Sequence, residues 1–290
     1  MNISLALGGG GSKGNSHIGV IRRLQQEGFN IQAVAGTSFG GIVAAFHALG
    51  YSPDEIEDLF ASVDQKHLYG HGEGEGPSLL GLAGATKWLK EVIGERTFSD
   101  LKTPCILTAA DLNCGCEVLL SEGSLVDALL ATIAIPGIFP PKRMGDLELV
   151  DGGTLDPVPV APARSLAPHL PVVAVVLTLP IGVPAQTWTI PVPDYVPHAL
   201  IERISRLNYS KALDVFLRSI DMVDRAVTEY RLEVDKPDVI IRPPVTHIDI
   251  LARVDIRAVA RLGEQAAEAA LPEIKNLFAW HNRLRRAIGV

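Results

Sequence analysis

The chain has 290 residues, 47% of them apolar, and a formal net charge of −7. A chain this long buries a substantial core. An acidic balance without a basic block excludes a general nucleic-acid binder and gives no broad attraction to anionic surfaces. Cys105, Cys114 and Cys116 supply neither a disulfide framework nor, lacking a second pair or nearby histidines, a zinc site, and are read as reduced thiols. Met1-Asn2 leads straight into an apolar run with no basic segment before it. The longest apolar stretch, Val172 to Leu179, is far shorter than the ~20 residues of a membrane-spanning helix. A soluble cytoplasmic protein is therefore expected.

Ile3 to Leu7 predicts a short buried strand, followed by the glycine cluster Gly8 to Gly11 and then Ser12-Lys13-Gly14. Ile18, Ile21 and Leu24 recur at helical spacing and predict a helix from His17 to Glu27, ended by Gly28. Ile31 to Ala35 predicts a second strand, Gly36 to Gly41 a tight connection, and Ile42 to Leu49 a helix closed by Gly50. Strand–helix–strand–helix is the pattern of a parallel sheet covered on both faces. Further strands are expected at Cys105–Ala110, Glu117–Leu120, Leu147–Val150, Val172–Leu179 and Val239–Ile241, and helices at Pro53–Ser62, Lys87–Ile93, Leu125–Thr132 and Ile256–Phe278. The expected fold class is α/β: one domain over 1–290, three layers deep, with a central, mainly parallel sheet.

Two segments break this regularity. Tyr69 to Gly84 is glycine-rich and reads as a mobile surface loop, and Pro180 to Pro197 carries five prolines and reads as an irregular excursion. A helix from His198 to Val227 is expected next, with Leu200, Ile204, Leu207, Leu213, Phe216, Ile220 and Val223 on one face. That face suits packing against the core or a lid over an apolar site.

Gly36-Thr37-Ser38-Phe39-Gly40 lies between a predicted strand and a predicted helix. A sharp turn in that place exposes a serine at the strand end, and the glycines give room for neighbouring backbone. The following helix aims its N-terminal N–H groups and dipole at the serine. Ser38 is thus a candidate nucleophile, with a plain helix cap as the alternative.

Three uses of the Gly8–Gly14 loop compete. A dinucleotide loop needs an acidic residue at the end of the second strand, where this chain runs directly into Gly36-Thr37-Ser38. A phosphate loop ends in Gly-Lys-Ser/Thr, but here Lys13 precedes Gly14. An oxyanion hole accounts for both glycine motifs with one site, because neighbouring parallel strands end at the same sheet edge and consecutive glycines leave backbone N–H groups unobstructed.

A nucleophilic serine needs a proton acceptor. None of the eight histidines has a distinctive setting; His17 and His47 fall within early helices, where a structural role is expected. Asp151-Gly152-Gly153 follows an apolar strand and turns sharply, which suits either a base facing Ser38 or an ordinary turn aspartate.

Together these segments resemble the patatin-like phospholipase family. Gly9-Gly10-Gly11-Ser12-Lys13-Gly14 resembles its oxyanion motif, His17-Ile18-Gly19-Val20 its continuation, and Gly36-Thr37-Ser38-Phe39-Gly40 its nucleophile elbow, with Phe39 where alanine is commoner. Ala131-Thr132-Ile133-Ala134-Ile135-Pro136 resembles its proline-containing segment, with Thr132 where serine is common, and Asp151-Gly152-Gly153 its catalytic aspartate motif. The similarity covers roughly residues 3 to 160. It implies a patatin-like fold and a lipid acyl hydrolase of phospholipase A or lysophospholipase type, working through a Ser38–Asp151 dyad without histidine. It further implies that the N–H groups of Gly9, Gly10 and Gly11 hold the oxyanion. Lys13 serves equally as a head-group contact or as a solvated loop cation. No metal or cofactor is implied. The expected partners are a lipid or lysolipid substrate and, transiently, a membrane surface, where His281 to Arg286 suits contact with anionic lipid or plain complementation of a helix end. A short-chain carboxylesterase and a catalytically silent lipid-binding or regulatory protein are the alternatives.

Overall fold

The computed structural model describes residues 1–72, 76, 78–183 and 208–279. The part of the proline-rich excursion after residue 183, the first turns of the helix expected from His198, and the arginines after His281 lie outside the described residues. In chain order the elements are β1 (Asn2–Leu7), α1 (Ser16–Gln26), β2 (Asn30–Thr37), α2 (Phe39–Leu49), α3 (Pro53–Ala61), α4 (Ala83–Ile93), β3 (Cys105–Asp111), β4 (Cys116–Leu120), α5 (Leu125–Thr132), β5 (Lys142–Met144), β6 (Leu147–Asp151), α6 (Val160–Leu166), β7 (Val172–Val175), α7 (Asn208–Asp235), β8 (Val239–Ile241) and α8 (Ile256–Asn276).

Strand pairing follows burial on both faces. β3–β2–β1–β7–β8 run parallel, while β4, β5 and β6 enter antiparallel. Successive residues point to opposite faces, and the two faces have separate cores. Leu5, Leu7, Val34, Leu107, Val173 and Val175 pack with Ile18, Val43, Leu129 and Val259 from α1, α2, α5 and α8. Their neighbours Ala6, Ala35, Ile106, Val172, Ala174 and Val176 pack with Val160 and Ala163 of α6 and Leu232 of α7. The chain is therefore a three-layer α/β protein with a central, mainly parallel sheet.

One register decides where the site forms. β2 borders Cys105–Thr108 of β3, β6 borders Ala109–Asp111, and β4 pairs along Leu107–Asp111. β2 and β6 therefore meet end to end along one edge of β3. Thr37 pairs with Thr108 and Asp151 with Ala109. The last residue of β2 thus points at the last residue of β6.

Several expectations are corrected. The strand expected over Val172–Leu179 stops at Val175. Its neighbour β8 has three residues, and the Val176 N–H already bonds Ile241 O, the last carbonyl β8 offers (2.9 Å). α2 begins at Phe39 rather than Ile42, so the connection from β2 is Ser38 alone. In the glycine-rich region, the described residues 78–82 are strapped down rather than loose. Leu79 and Leu80 donate to the carbonyls of Gly137 and Ile138 (3.2 and 2.8 Å), Leu80 and Leu82 are buried, and Tyr69 stacks on Phe139.

Of the apolar face expected over α7, only Phe216, Ile220 and Val223 have described side chains, and of these only Ile220 is half-buried. Phe216 and Val223 are exposed, as are Val215, Met222 and Tyr230. The inward face carries Asp221, Asp224, Arg225, Thr228 and Arg231. Partners outside the helix hold it there: Arg231 pairs with buried Asp156 (2.9 Å) and Glu117, and Arg225 donates to Val183 O (2.7 Å). Turning this face outward would leave buried Asp156 without its cation, and an unpaired buried charge is costly.

Candidate active site

Ser38 is the single residue between β2 and α2, and its backbone is strained (φ 55°, ψ −128°). A non-glycine residue there persists only when its surroundings over-determine it. The tight approach of α2 to β1 supplies that. A Cβ on Gly40 would lie 2.2 Å from Leu7 O, so only glycine lets the helix start against the strand end. Ser38 O accepts from the Gly41 and Ile42 N–H groups (2.9 and 3.2 Å), beginning the helix.

Asp151 is 6% exposed, and its Oδ1 accepts the Gly153 N–H (2.8 Å). Burial pushes its carboxyl up to about 6, opposed by hydrogen bonding from the Ser38 side chain and from the Gly153 N–H. The carboxyl is thus ionised at neutral pH, yet basic enough to take a proton. Ser38 and Asp151, the two residues singled out in the sequence, are brought together. Among the described residues no histidine hydrogen-bonds either of them. His17 is buried and its Nε2–H donates to Gly8 O (2.8 Å), fixing the glycine loop, and burial lowers its ring to about 4. His47 is also buried, with neither ring nitrogen hydrogen-bonded.

The glycine loop needs one correction. The Gly9 N–H donates to Pro157 O (2.9 Å) and so is not free to receive an oxyanion. Gly9 serves by its size instead: a Cβ there would sit 3.2 Å from Ser38 Cβ. The Gly10 and Gly11 N–H groups have no acceptor among the described residues. Ser12 fixes the loop from beyond, its N–H donating to Ile250 O (2.7 Å) and its Oγ–H to Ala252 O (2.6 Å).

Lys13 is 7% exposed, not a solvated loop cation. Burial lowers its ammonium, while Asp221, Asp224 and Asp249 raise it. Asp224, which the sequence did not single out, stands within electrostatic reach of Asp151. Burial pushes it up to about 7, helped by the charges of Asp151 and Asp221 and opposed by Lys13 and Arg225. Its only sequence signal is a place on a helix whose apolar face suggested the opposite orientation.

A cavity of about 210 Å³ opens beside Ser38. Its lining includes Gly11, Asn15, Phe39, Ile42, Phe60, Leu80, Leu82, Ala85, Trp88, Leu89, Ile133, Ile135 and Phe139. The lining is overwhelmingly apolar. Among the described residues no group of three or more His, Cys, Asp or Glu side chains is placed to hold a metal. No helix among them is long and apolar enough to cross a membrane.

The profile described as "Patatin-like phospholipase" matches residues 5–164, more than half of the chain. The protein belongs to the patatin-like phospholipase family. Similar curated proteins include an uncharacterised NTE family protein of Mycobacterium tuberculosis, 37% identical over 165 residues (55% of this chain, 45% of that one). A second from the same organism is 28% identical over 280 residues (93% and 46%). A patatin-like phospholipase domain-containing protein of Caenorhabditis elegans is 28% identical over 179 residues (57% and 13%). The chain thus spans less than half the length of these relatives. The crystal structure of VipD from Legionella pneumophila shares the fold, with TM-score 0.58 and 14% identity over 94% of this chain and 66% of that one. Family membership supports lipid hydrolysis as the general activity.

Proposed function

We propose that this patatin-like domain hydrolyses carboxylic esters of lipids, as a phospholipase A or lysophospholipase, through an acyl-enzyme on Ser38. The observation that carries the proposal is the meeting of three features at one place: a strained strand-to-helix serine, a buried carboxylate whose proton affinity that serine's side chain lowers, and an apolar cavity beside them.

Ser38 Oγ attacks the ester carbonyl as its proton passes to Asp151. The oxyanion of the tetrahedral intermediate lies against the free N–H groups of Gly10 and Gly11, where one lost donor costs ~10²–10³ in rate. The intermediate collapses, the C–O bond to the leaving alcohol breaks, and Asp151 returns the proton to that oxygen. Water then attacks the acyl-enzyme, giving its proton to Asp151, and Ser38 leaves with that proton as the acid departs. The apolar cavity receives the acyl chain. The outward apolar stripe of α7 offers a surface for contact with aggregated lipid.

Labelling by a fluorophosphonate, with the modified peptide mapped by mass spectrometry, tests the chemistry. We expect a label on Ser38 that Ser38→Ala abolishes together with ester hydrolysis. No label on the folded protein, with and without lipid vesicles, refutes the dyad and favours a silent lipid-binding protein. A preference for acetyl or butyryl esters over long chains refutes the lipid substrate and favours a carboxylesterase.

A further inference from the structure

The N–H of Ser38, at the start of α2, is one of the amides that the helix cannot satisfy. A buried N–H without a partner is costly, and this one is taken by a side chain. Thr132 Oγ1, at the end of α5, accepts it at 2.8 Å, and Thr132 is fully buried. Two residues on, Ala134 O accepts the N–H of Asp151 at 2.9 Å. The segment 132–134 therefore bonds the backbone of both Ser38 and Asp151. The intervening and following side chains, Ile133 and Ile135, line the cavity beside Ser38.

We propose that Thr132 is a positioning residue for the reaction, its hydroxyl holding the Ser38 peptide in the conformation that aims Oγ at Asp151. The inference rests on the Ser38–Asp151 dyad proposed above and adds to it the group that sets the dyad's geometry. The branched side chain suits the task. Two heavy substituents on Cβ restrict its rotamer, and its methyl group lies where a Cβ on Gly41 would come within 3.1 Å, wedged against the first turn of α2. Without the hydroxyl, the Ser38 peptide has no acceptor for its N–H and shifts within the room that the tight start of α2 leaves it. A displacement of about 1 Å at a reacting atom costs on the order of 10²-fold.

The test compares Thr132→Val and Thr132→Ala, which remove the acceptor, with Thr132→Ser, which keeps it. kcat and KM are measured on a medium-chain ester, alongside the rate of fluorophosphonate labelling. Val and Ala are expected to lower kcat and the labelling rate in parallel, by roughly 10- to 100-fold, with KM little changed because the cavity wall is untouched. Ser is expected to restore both to within about threefold. The midpoint of the pH–rate profile stays where it is in the parent, since no charge is altered. Wild-type kcat in a folded Thr132→Val protein overturns the proposal, and so does a Thr132→Ser protein as slow as Thr132→Val. Should Val and Ala fail to fold, hydrogen exchange decides: a Ser38 amide that exchanges rapidly in the parent protein overturns it, and a protected one supports it. Failure of the dyad itself reads differently, as a label mapping to a residue other than Ser38.

Discussion

Replacing Asp151 by asparagine should abolish hydrolysis and make the protein more stable. Asp151 is buried, and its proton affinity rises from the ordinary 3.8 to about 6. Each tenfold change in proton affinity corresponds to about 1.4 kcal/mol, so ionising this carboxyl inside the fold costs about 3 kcal/mol relative to the unfolded chain. Below pH 3.8 the carboxyl is protonated in both states, and Asp151→Asn gains nothing. Between 3.8 and 6 the unfolded chain has released the proton that the folded chain still holds, so parental stability falls as pH rises. Above about 7 the full cost is present, and the variant escapes it. Asparagine keeps the shape and can still accept the Gly153 N–H. It also removes one of the charges that push Asp224 up, which adds to the gain. Urea unfolding between pH 4 and 8 reads the effect directly. The expected advantage is about 3 kcal/mol at pH 8, or about 5 °C in Tm for a chain this long, shrinking toward zero near pH 4. An Asp151→Asn protein no more stable than its parent at pH 8, or an advantage that does not shrink with acid, refutes this account of the site.

Two further outcomes are expected. Ala85 lines the apolar cavity, so Ala85→Phe should narrow it and shorten the accepted chain, lowering kcat/KM for long acyl esters at least tenfold while butyryl esters change little; equal loss across a chain-length series would place the acyl chain elsewhere. His47 is buried with both ring nitrogens unpaired and its ring lowered to about 4, so between pH 6.5 and 4 the unfolded chain gains a proton that the folded one refuses, and stability falls with acid. His47→Leu should reduce that loss between pH 7 and 4.5 by roughly 2 kcal/mol, as read from urea midpoints, and an unchanged acid slope would refute it.

Much of the site was legible because it is local. The glycine run after β1, the serine between a strand and a helix, and the Asp-Gly-Gly turn after an apolar strand each carry their signal within a few residues. The strand–helix alternation likewise gives the parallel core of the sheet. What stayed hidden depends on pairing across the chain. No local pattern says that antiparallel β6 continues the edge of β3 where β2 ends, which is what brings Asp151 to Ser38. None says that the Gly9 N–H is taken by Pro157. Thr132 showed only as a substitution within a motif, because the amide it binds lies 94 positions away. α7 misled, since its apolar periodicity was real while buried Asp156 and its neighbours drew the charged face inward.

The glycine loop is framed by carbonyls from far downstream. Gly8 is held by Val175, Gly9 by Pro157 and Ser12 by Ile250. Val175 and Ile250 lie beyond residue 164, where the family match ends. The loop beside Ser38 is thus shaped by residues that lie more than 100 positions after it. A chain cut before Ile250 keeps Ser38 but loses the carbonyl that anchors Ser12, so the shape of the glycine loop is written partly in sequence that the family match does not reach.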